Sequence, residues 1–83
     1  MEIEFDLAKD AVNRAKHGVP LARAAELTDV IVVEDDRFGE QRYRLYGWID
    51  DVRYCAAVTL RGDIVRVISL RRAHRKEFNR HGH

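Results

Sequence analysis

The chain has a single cysteine and no long apolar run, and each shortage excludes a class of protein. Its net charge is also close to zero. Cys55 has no partner for an internal disulfide and is predicted to be a small buried hydrophobe rather than a nucleophile. The longest aliphatic run, Val30 to Val33, is far shorter than the roughly 20 residues that span a bilayer. The first residues also lack the basic start of an export signal. One cytoplasmic domain over residues 1–83 is therefore expected.

The net charge of +1 hides a strong polarity along the chain. Residues 61–83 hold seven Lys or Arg against two acids, whereas residues 1–60 hold eight against twelve, so the two parts carry +5 and −4. A basic end of this kind is typical of surfaces that bind nucleic acid or an acidic partner.

Metal-binding clusters are also missing from the sequence. The acidic pairs, Asp35-Asp36 and Asp50-Asp51, fall in predicted turns without converging His or carboxylate ligands. We therefore interpret them as solvated turn residues and expect no metal or other cofactor.

The apolar pattern predicts the element order β-α-α-β-β-β-β-α. A short first strand carries Ile3 and Phe5, and the first helix runs from an Asp6 cap to Gly18. A second helix follows Pro20. The apolar positions expected to pack on the sheet are Leu7, Ala8, Ala11, Val12 and Ala15 in the first helix and Leu21, Ala24, Ala25 and Leu27 in the second.

The remaining elements are four strands and a short basic helix that begins at about Arg72. The strands are predicted over Val30–Glu34, Arg42–Ile49, Arg53–Arg61 and Ile64–Arg71. The first hairpin connection is the polar run 35–41, which includes Phe38, and the turn 50–52 makes the second. The last strand is apolar on both faces, and we favour Ile64, Ile68 and Leu70 inward with Ser69 and Arg71 outward.

Alternation along two of these strands separates an apolar side from a side that mixes arginines with aromatic residues. Tyr43, Leu45, Gly47 and Ile49, with Tyr54, Ala56, Val58 and Leu60, share the first side. The second side holds Arg42, Arg44, Tyr46, Trp48, Arg53, Thr59 and Arg61. This composition suits phosphate contacts combined with base stacking.

Four short motifs follow one another along the chain: Lys16-His17-Gly18, Gly39-Glu40-Gln41-Arg42, Gly47-Trp48, and the run from Arg66 to Ala73 followed by Glu77. In this order they resemble the BrnT family of bacterial type II toxins over essentially the whole chain. The resemblance implies a RelE-like α+β fold, which here means two N-terminal helices on one face of an antiparallel four-stranded sheet, a short N-terminal strand and a C-terminal basic helix. It also implies a metal-independent endoribonuclease that inhibits growth and is neutralised by a DNA-binding antitoxin, BrnA, in a hetero-oligomer.

RNA cleavage without a metal needs proton-transfer groups and cations that stabilise the phosphate, and the chain has candidates for each. His17 is an acid-base candidate or a histidine favoured by the helix dipole. Glu40 is a candidate base or a surface carboxylate paired with Arg42. Arg42, Arg61 and Arg71 are expected to converge on the phosphate, although each also fits a solvated face.

A second set of residues is expected to bind RNA rather than to react with it. Its members are Arg44, Tyr46, Trp48, Arg72, Arg75, Lys76 and Arg80. In the terminal helix, Phe78 is expected to dock on the body of the domain, and Glu77 to form half of a capping box with His74.

Two residues depart from the family pattern. His74 stands where a helix-capping hydroxyl is expected, and His81 stands where a tyrosine is expected. His81 is then either a replacement acid-base group or, with His83, part of a disordered end. A non-catalytic binding module and an attenuated toxin acting in a transcription-regulating complex remain the alternatives.

Overall fold

The structure, a computed structural model, describes residues 1–37 and 39–82. Its elements are β1 (Ile3–Phe5), α1 (Leu7–His17), a 3₁₀ helix (Leu21–Glu26), β2 (Thr28–Asp35), β3 (Arg42–Ile49), β4 (Val52–Arg61), β5 (Ile64–Arg72) and α2 (Arg75–Arg80). Phe38, in the predicted hairpin connection, and His83, at the predicted disordered end, lie outside the described residues.

The five strands form one mixed sheet in the order β1-β5-β4-β3-β2. The α+β class is confirmed, but the expected four-stranded antiparallel sheet is wrong. β1 joins the sheet by pairing in parallel with β5, with Ile3 opposite Val65 and Phe5 opposite Val67. This pairing gives hydrogen-bond partners to backbone N–H and C=O groups of β5 that would be unpaired if β1 stayed outside the sheet.

The expected second helix is a 3₁₀ helix of six residues rather than an α-helix. Leu21, Ala24 and Leu27 recur every third residue and are buried, with exposed fractions of 0%, 0% and 9%. Three residues per turn is the period of a 3₁₀ helix, which brings these side chains onto one side. The segment packs on the sheet face that carries Leu45, Ala56, Val58 and Val67, called the core face below.

An irregularity in β5 reverses part of the predicted inward pattern. Ala57 pairs with Ser69 and Val58 pairs with Val67, so Ile68 is an extra residue on its strand. Such a bulge shifts the alternation of side chains by one residue. Val65 and Val67 therefore pack in the core where Ile64 and Ile68 were expected, while Leu70 is inward as predicted.

A second bulge, in β2, explains why glycine stands at position 47. The β2–β3 register shifts between Thr28 and Ile31, and Asp29 has a φ of 51°. A Cβ atom on Gly47 would lie 2.8 Å from the carbonyl oxygen of Thr28. The Gly47-Trp48 motif thus has a packing role in the fold.

The two-residue turn between β3 and β4 consists of Asp50 and Asp51, so β4 begins at Val52 rather than at Arg53. Both aspartates have positive φ values, 49° and 62°, as a turn between strands of this twist requires. Asp50 also accepts a 2.7 Å hydrogen bond from Arg23, which ties the turn to the 3₁₀ helix.

Both predicted ends of α1 are confirmed. The Asp6 side chain accepts hydrogen bonds from the backbone N–H groups of Ala8 and Lys9, and Gly18 ends the helix at a φ of 72°. The predicted packing of its apolar stripe is wrong, because Leu7 and Val12 are 79% and 64% exposed. α1 is held instead by polar contacts beside β5.

α2 begins at Arg75, three residues later than expected, because the final strand continues through Arg72. Phe78 is fully buried and contacts Tyr46 and Trp48 on the sheet face opposite the core face. Among the described residues, no helix is long and apolar enough to cross a membrane.

Candidate functional site

Arg42, Arg44 and Arg71 lie on the sheet face opposite the core face, called the arginine face below. They line one cleft of about 210 Å³, which we call the arginine cleft. β3 contributes Arg42 and Arg44 at alternate positions, and β5 contributes Arg71. The other lining residues are Asp35, Arg37, Cys55, Ala57 and Ser69. Counting Arg37, four arginines line this space, and arginine side chains can bind a phosphate group through charge and directed N–H donors.

Arg71 is held in the cleft by Glu77 of α2. Its two terminal nitrogens donate hydrogen bonds of 2.9 and 2.8 Å to the two carboxylate oxygens of Glu77. This contact with Arg71 is the main reason why the pKa of Glu77 falls to about 2. Interactions with the Tyr46 hydroxyl and the backbone N–H of His74 also lower the pKa of Glu77, and the second is in line with the predicted half of the capping box. The His74 side chain makes no capping hydrogen bond.

Asp35 does not behave as the solvated turn residue that the sequence indicated. It ends β2, is only 6% exposed, and accepts hydrogen bonds of 2.8 and 2.7 Å from the Arg37 guanidinium. Arg44 Nε lies 3.7 Å from the same carboxylate. The hydrogen bonds from Arg37 are the largest cause of a pKa of about 2, so Asp35 stays charged and orients two arginines at the cleft.

His17 lies in a neighbouring cleft of about 490 Å³, which we call the His17 cleft. Its other lining residues are Lys16, Arg71, Arg72 and His74, so Arg71 borders both clefts. Partial desolvation of this largely exposed side chain, followed by the charges of Lys16 and Arg71, lowers the pKa of His17 below its usual 6.5. His17 is therefore mainly neutral at pH 7 and can accept a proton.

Two predicted catalytic residues have other surroundings. Glu40 is an exposed carboxylate that accepts a 3.0 Å hydrogen bond from Arg42 Nε, in line with the ion pair considered from the sequence. Arg61 lies outside both clefts and its Nε is 3.9 Å from Glu4. The structure thus brings Arg42 and Arg71 together, as expected, but does not bring Arg61 to them.

Tyr46 and Trp48, expected as a stacking platform, are partly covered by α2. The Tyr46 ring has no exposed surface and stacks on His81, with the ring centroids 4.5 Å apart. The Trp48 ring packs edge-on against Phe78 at 5.1 Å, with the Arg53 guanidinium 5.1 Å from its centroid. His81 therefore belongs to the packed face rather than to a disordered end. The His81 ring lies against Tyr46 and is in neither cleft, so its position does not support an acid-base role.

The remaining basic residues form an exposed border beside the two clefts. Arg72 is exposed and lines the His17 cleft. Arg75, Lys76 and Arg80 are exposed on α2, whose Phe78 faces the sheet. The predicted basic surface is therefore present, although Arg72 belongs to β5 and not to the helix.

Within the described ranges, no cluster of three or more His, Cys, Asp or Glu side chains is arranged to hold a metal ion. Cys55 is buried and its pKa is raised, mainly by burial, so the thiol stays protonated at neutral pH. The residues that the sequence analysis missed are Asp35 and Arg37, whose role depends on the fold of the connection after β2. Ser69 was placed on the correct face but was not considered part of a site.

Comparisons with known proteins agree with this architecture. A family model described as "Ribonuclease toxin, BrnT, of type II toxin-antitoxin system" matches residues 5–77. The crystal structure of the Brucella abortus ribonuclease toxin BrnT is similar to this chain, with a TM-score of 0.74 and 23% sequence identity. The match covers 90% of this chain and 99% of that one, and at this identity it shows the fold alone. No curated protein sequence matches significantly.

Proposed function

The chain belongs to the BrnT family of ribonuclease toxins of type II toxin–antitoxin systems, and from that premise we propose that its arginine cleft is where RNA is cleaved. The observation that carries the proposal is the convergence of Arg42, Arg44 and Arg71 on one space. A cleaved phosphodiester gains negative charge in the transition state, and preorganised guanidinium groups stabilise that charge. Arg42 and Arg71 are the proposed catalytic cations, and Arg44 is the proposed phosphate-binding neighbour.

The proposed reaction is attack of the ribose 2′-oxygen on the adjacent phosphorus. The bond from phosphorus to the 2′-oxygen forms as the bond to the 5′-oxygen breaks, which leaves a 2′,3′-cyclic phosphate and a 5′-hydroxyl. One group must remove the 2′ proton and one must protonate the departing 5′-oxygen. His17 is the proposed proton acceptor because its pKa is lowered and its cleft shares Arg71 with the arginine cleft.

Glu40 is the second candidate for proton transfer. Its carboxylate is exposed and bonded to Arg42, which places it beside one proposed catalytic cation. The exposed residues Arg72, Arg75, Lys76 and Arg80 are proposed to hold the flanking RNA backbone through charge. Trp48, which is partly exposed, is a candidate base contact, whereas buried Tyr46 supports the site by accepting a hydrogen bond from Arg44.

The donor set around the clefts favours cleavage without a metal ion. Arginines dominate the arginine cleft, and Asp35, the carboxylate among the described lining residues, is bound by Arg37. Membership of a type II system implies an antitoxin partner, and we propose that it is BrnA-like, forms a hetero-oligomer and makes the DNA contacts of the complex. We propose that the toxin acts in the cytoplasm, where its RNA substrates are.

The test compares two arginine variants, Arg42→Ala and Arg61→Ala. Arg42 lines the arginine cleft, whereas Arg61 is an arginine of the neighbouring strand outside it. Loss of one donor that stabilises the transition state costs about 10²- to 10³-fold in rate, so Arg42→Ala is expected to lose most activity. Arg61→Ala is expected to stay within about threefold of wild type, because it removes only an exposed pair. The measurements are growth after expression of the chain alone, primer extension on total RNA, and cleavage by purified protein with and without EDTA.

Full activity of Arg42→Ala, or equal losses in both variants, would contradict the proposed site. Loss of cleavage on adding EDTA would contradict the metal-independent mechanism. If soluble wild-type protein leaves growth and RNA intact, the chain is better described as a binding module or an attenuated toxin.

A further inference from the structure

The apolar stripe of α1 faces outward and is left uncovered by the described part of the chain. Leu7 and Val12 are 79% and 64% exposed, and Ala8, Ala11 and Ala15 are exposed beside them. Of the described core residues, none comes from α1. An amphipathic helix normally turns such a stripe toward a partner surface. The domain therefore presents a helix face suited to a second protein.

A groove of about 380 Å³ runs between this stripe and β5, and we call it the α1 groove. Ala8, Val12 and Ile68 give it an apolar lining, and Lys9, Lys16 and His17 add basic groups. The extra residue created by the β5 bulge is Ile68, so the same irregularity that changed the core supplies part of this groove.

The charges around the groove define the partner. Lys9 and Lys16 are exposed and take part in none of the ion pairs among the described residues. The acid of α1, Asp10, is already bonded to the backbone N–H of Leu21 at 2.8 Å and to Arg14 at 3.5 Å. An apolar segment flanked by Asp or Glu would therefore complement this surface.

Other occupants fit less well. A second copy of the chain would bring the same lysines together, which like charges oppose. Single-stranded RNA usually stacks its bases on aromatic rings, and none of the described Phe, Tyr or Trp residues lines the groove. Leu7 and Val12 offer aliphatic surface of the kind that a helix of a partner protein buries.

We propose that the antitoxin docks beside α1 through an amphipathic helix whose apolar face covers Val12 in the α1 groove and Leu7 on the adjoining stripe, and whose acidic residues face Lys9 and Lys16. This inference rests on the proposed toxin function. A helix in this position also contacts His17, which lines both the groove and the His17 cleft. Neutralisation would then follow from covering the proposed proton acceptor.

The chain offers a matched pair of surfaces for the test. The double variant Leu7→Gln/Val12→Gln removes the two aliphatic anchors of α1 while keeping good helix formers. Val32→Gln/Leu60→Gln makes the same kind of change at side chains that are 59% and 53% exposed and line a separate apolar pocket with Met1 and Tyr43. The single variant Lys9→Glu, at an exposed position, tests the electrostatic contribution to antitoxin binding without removing apolar contacts.

Binding of purified toxin to the purified antitoxin of the same system is measured by titration, and growth is measured with and without antitoxin. The α1 double variant is expected to bind at least about tenfold more weakly and to remain toxic when antitoxin is present. The Val32/Leu60 variant is expected to bind within about twofold of wild type. Lys9→Glu is expected to weaken binding by several-fold, with a smaller effect at high salt. Thermal melts confirm that each variant is folded.

Wild-type affinity of the α1 double variant, or absence of antitoxin binding by the wild type, overturns the proposal. It is also overturned if the double variant instead loses RNA binding, or loses a self-association seen by sedimentation. The binding assay needs no enzymatic activity, so antitoxin docking and the proposed RNA cleavage are tested independently. A chain that binds antitoxin through α1 but never cuts RNA keeps the docking site and loses the enzyme.

Discussion

The side chain of Asn13 forms hydrogen bonds with the backbone of β5 beyond the point where β1 ends. β1 ends opposite Val67, and farther along β5 the amide of Asn13 donates to the carbonyl oxygen of Leu70 and accepts from its N–H, at 2.8 and 3.0 Å. The same amide nitrogen donates to the carbonyl oxygen of Val19 at 2.9 Å. Asn13 is the one buried residue of α1, so these bonds decide where the helix sits.

Asn13→Ala is expected to lower the free energy of unfolding by about 2 to 4 kcal/mol. Three buried backbone groups would lose their partner, and each unsatisfied group costs on the order of 1 kcal/mol or more. Asn79→Ala, on the exposed surface of α2, is the control and is expected to change stability by less than about 0.5 kcal/mol. Chemical denaturation of both variants measures the difference. Equal stabilities would show that α1 is fixed by contacts other than this amide.

At the scale of single residues, the sequence predicted functions of local chemistry but not those that depend on distant neighbours. Asp6 and Gly18 form the predicted ends of α1 because a cap needs only residues adjacent in sequence. Asp35 was misjudged because its burial and its guanidinium partners arise from the folded connection after β2. Asn13, an amide among helix formers, carried no signal that it would bond to a strand 57 residues away.

Among the secondary-structure elements, α2 is the one that most changes the predicted site. It lies on the arginine face, buries Phe78 against Tyr46 and Trp48, and places Glu77 against Arg71. A short helix of six residues has little stability by itself, so these contacts fix it. The same contacts fix the guanidinium of Arg71 between the two clefts.

The Glu77–Arg71 contact predicts a stability that depends on pH. Arg71 lowers the pKa of Glu77 from 4.5 to about 2 in the folded chain. The contribution is therefore complete above pH 4.5 and is lost as the pH falls toward 2. Because Glu77 is partly exposed, solvent screening limits it to on the order of 1 kcal/mol.

Glu77→Gln is expected to lack this part of the acid-dependent loss of unfolding free energy, and Glu34→Gln, on the exposed part of β2, is the control. The free energy of unfolding of wild type and both variants is measured by urea denaturation between roughly pH 5 and pH 2, a range that spans the titration of Glu77. The same pH dependence in wild type and Glu77→Gln would mean that the ion pair does not stabilise the fold.

The strands were predicted more closely than the helices because alternating side chains and turn residues mark them locally. β3 was predicted with its observed bounds, Arg42–Ile49. The bulge at Ile68 could not be predicted, since an extra residue is visible only when β5 is paired with β4. The stripe on α1 indicated a helix correctly, but a periodic pattern does not say whether the stripe faces the domain or a partner.

Over the whole molecule, the charged and apolar surfaces meet at His17. The α1 groove and the His17 cleft both include this residue, and Arg71 connects the His17 cleft to the arginine cleft. Five of the seven basic residues of the segment 61–83 lie at or beside the proposed RNA site, namely Arg71, Arg72, Arg75, Lys76 and Arg80, while Arg61 and Arg66 are paired with Glu4 outside the clefts. A partner in the groove and RNA in the clefts would therefore compete for the surroundings of one imidazole.

That position gives the ribonuclease a defined pH dependence. A histidine that accepts the 2′ proton must be neutral, and partial desolvation together with the charges of Lys16 and Arg71 lowers the pKa of His17 below 6.5. Cleavage by purified toxin is therefore expected to rise with pH through a midpoint below 6.5 and to be nearly constant at neutral pH. His17→Gln is expected to lose about 10²-fold or more in rate and to lose this acidic limb. His74→Gln, which changes another histidine of the same cleft, is the control and should keep the limb. A full acidic limb in His17→Gln would assign proton acceptance to another group, with Glu40 the next residue to substitute, because its carboxylate is bonded to Arg42 in the arginine cleft.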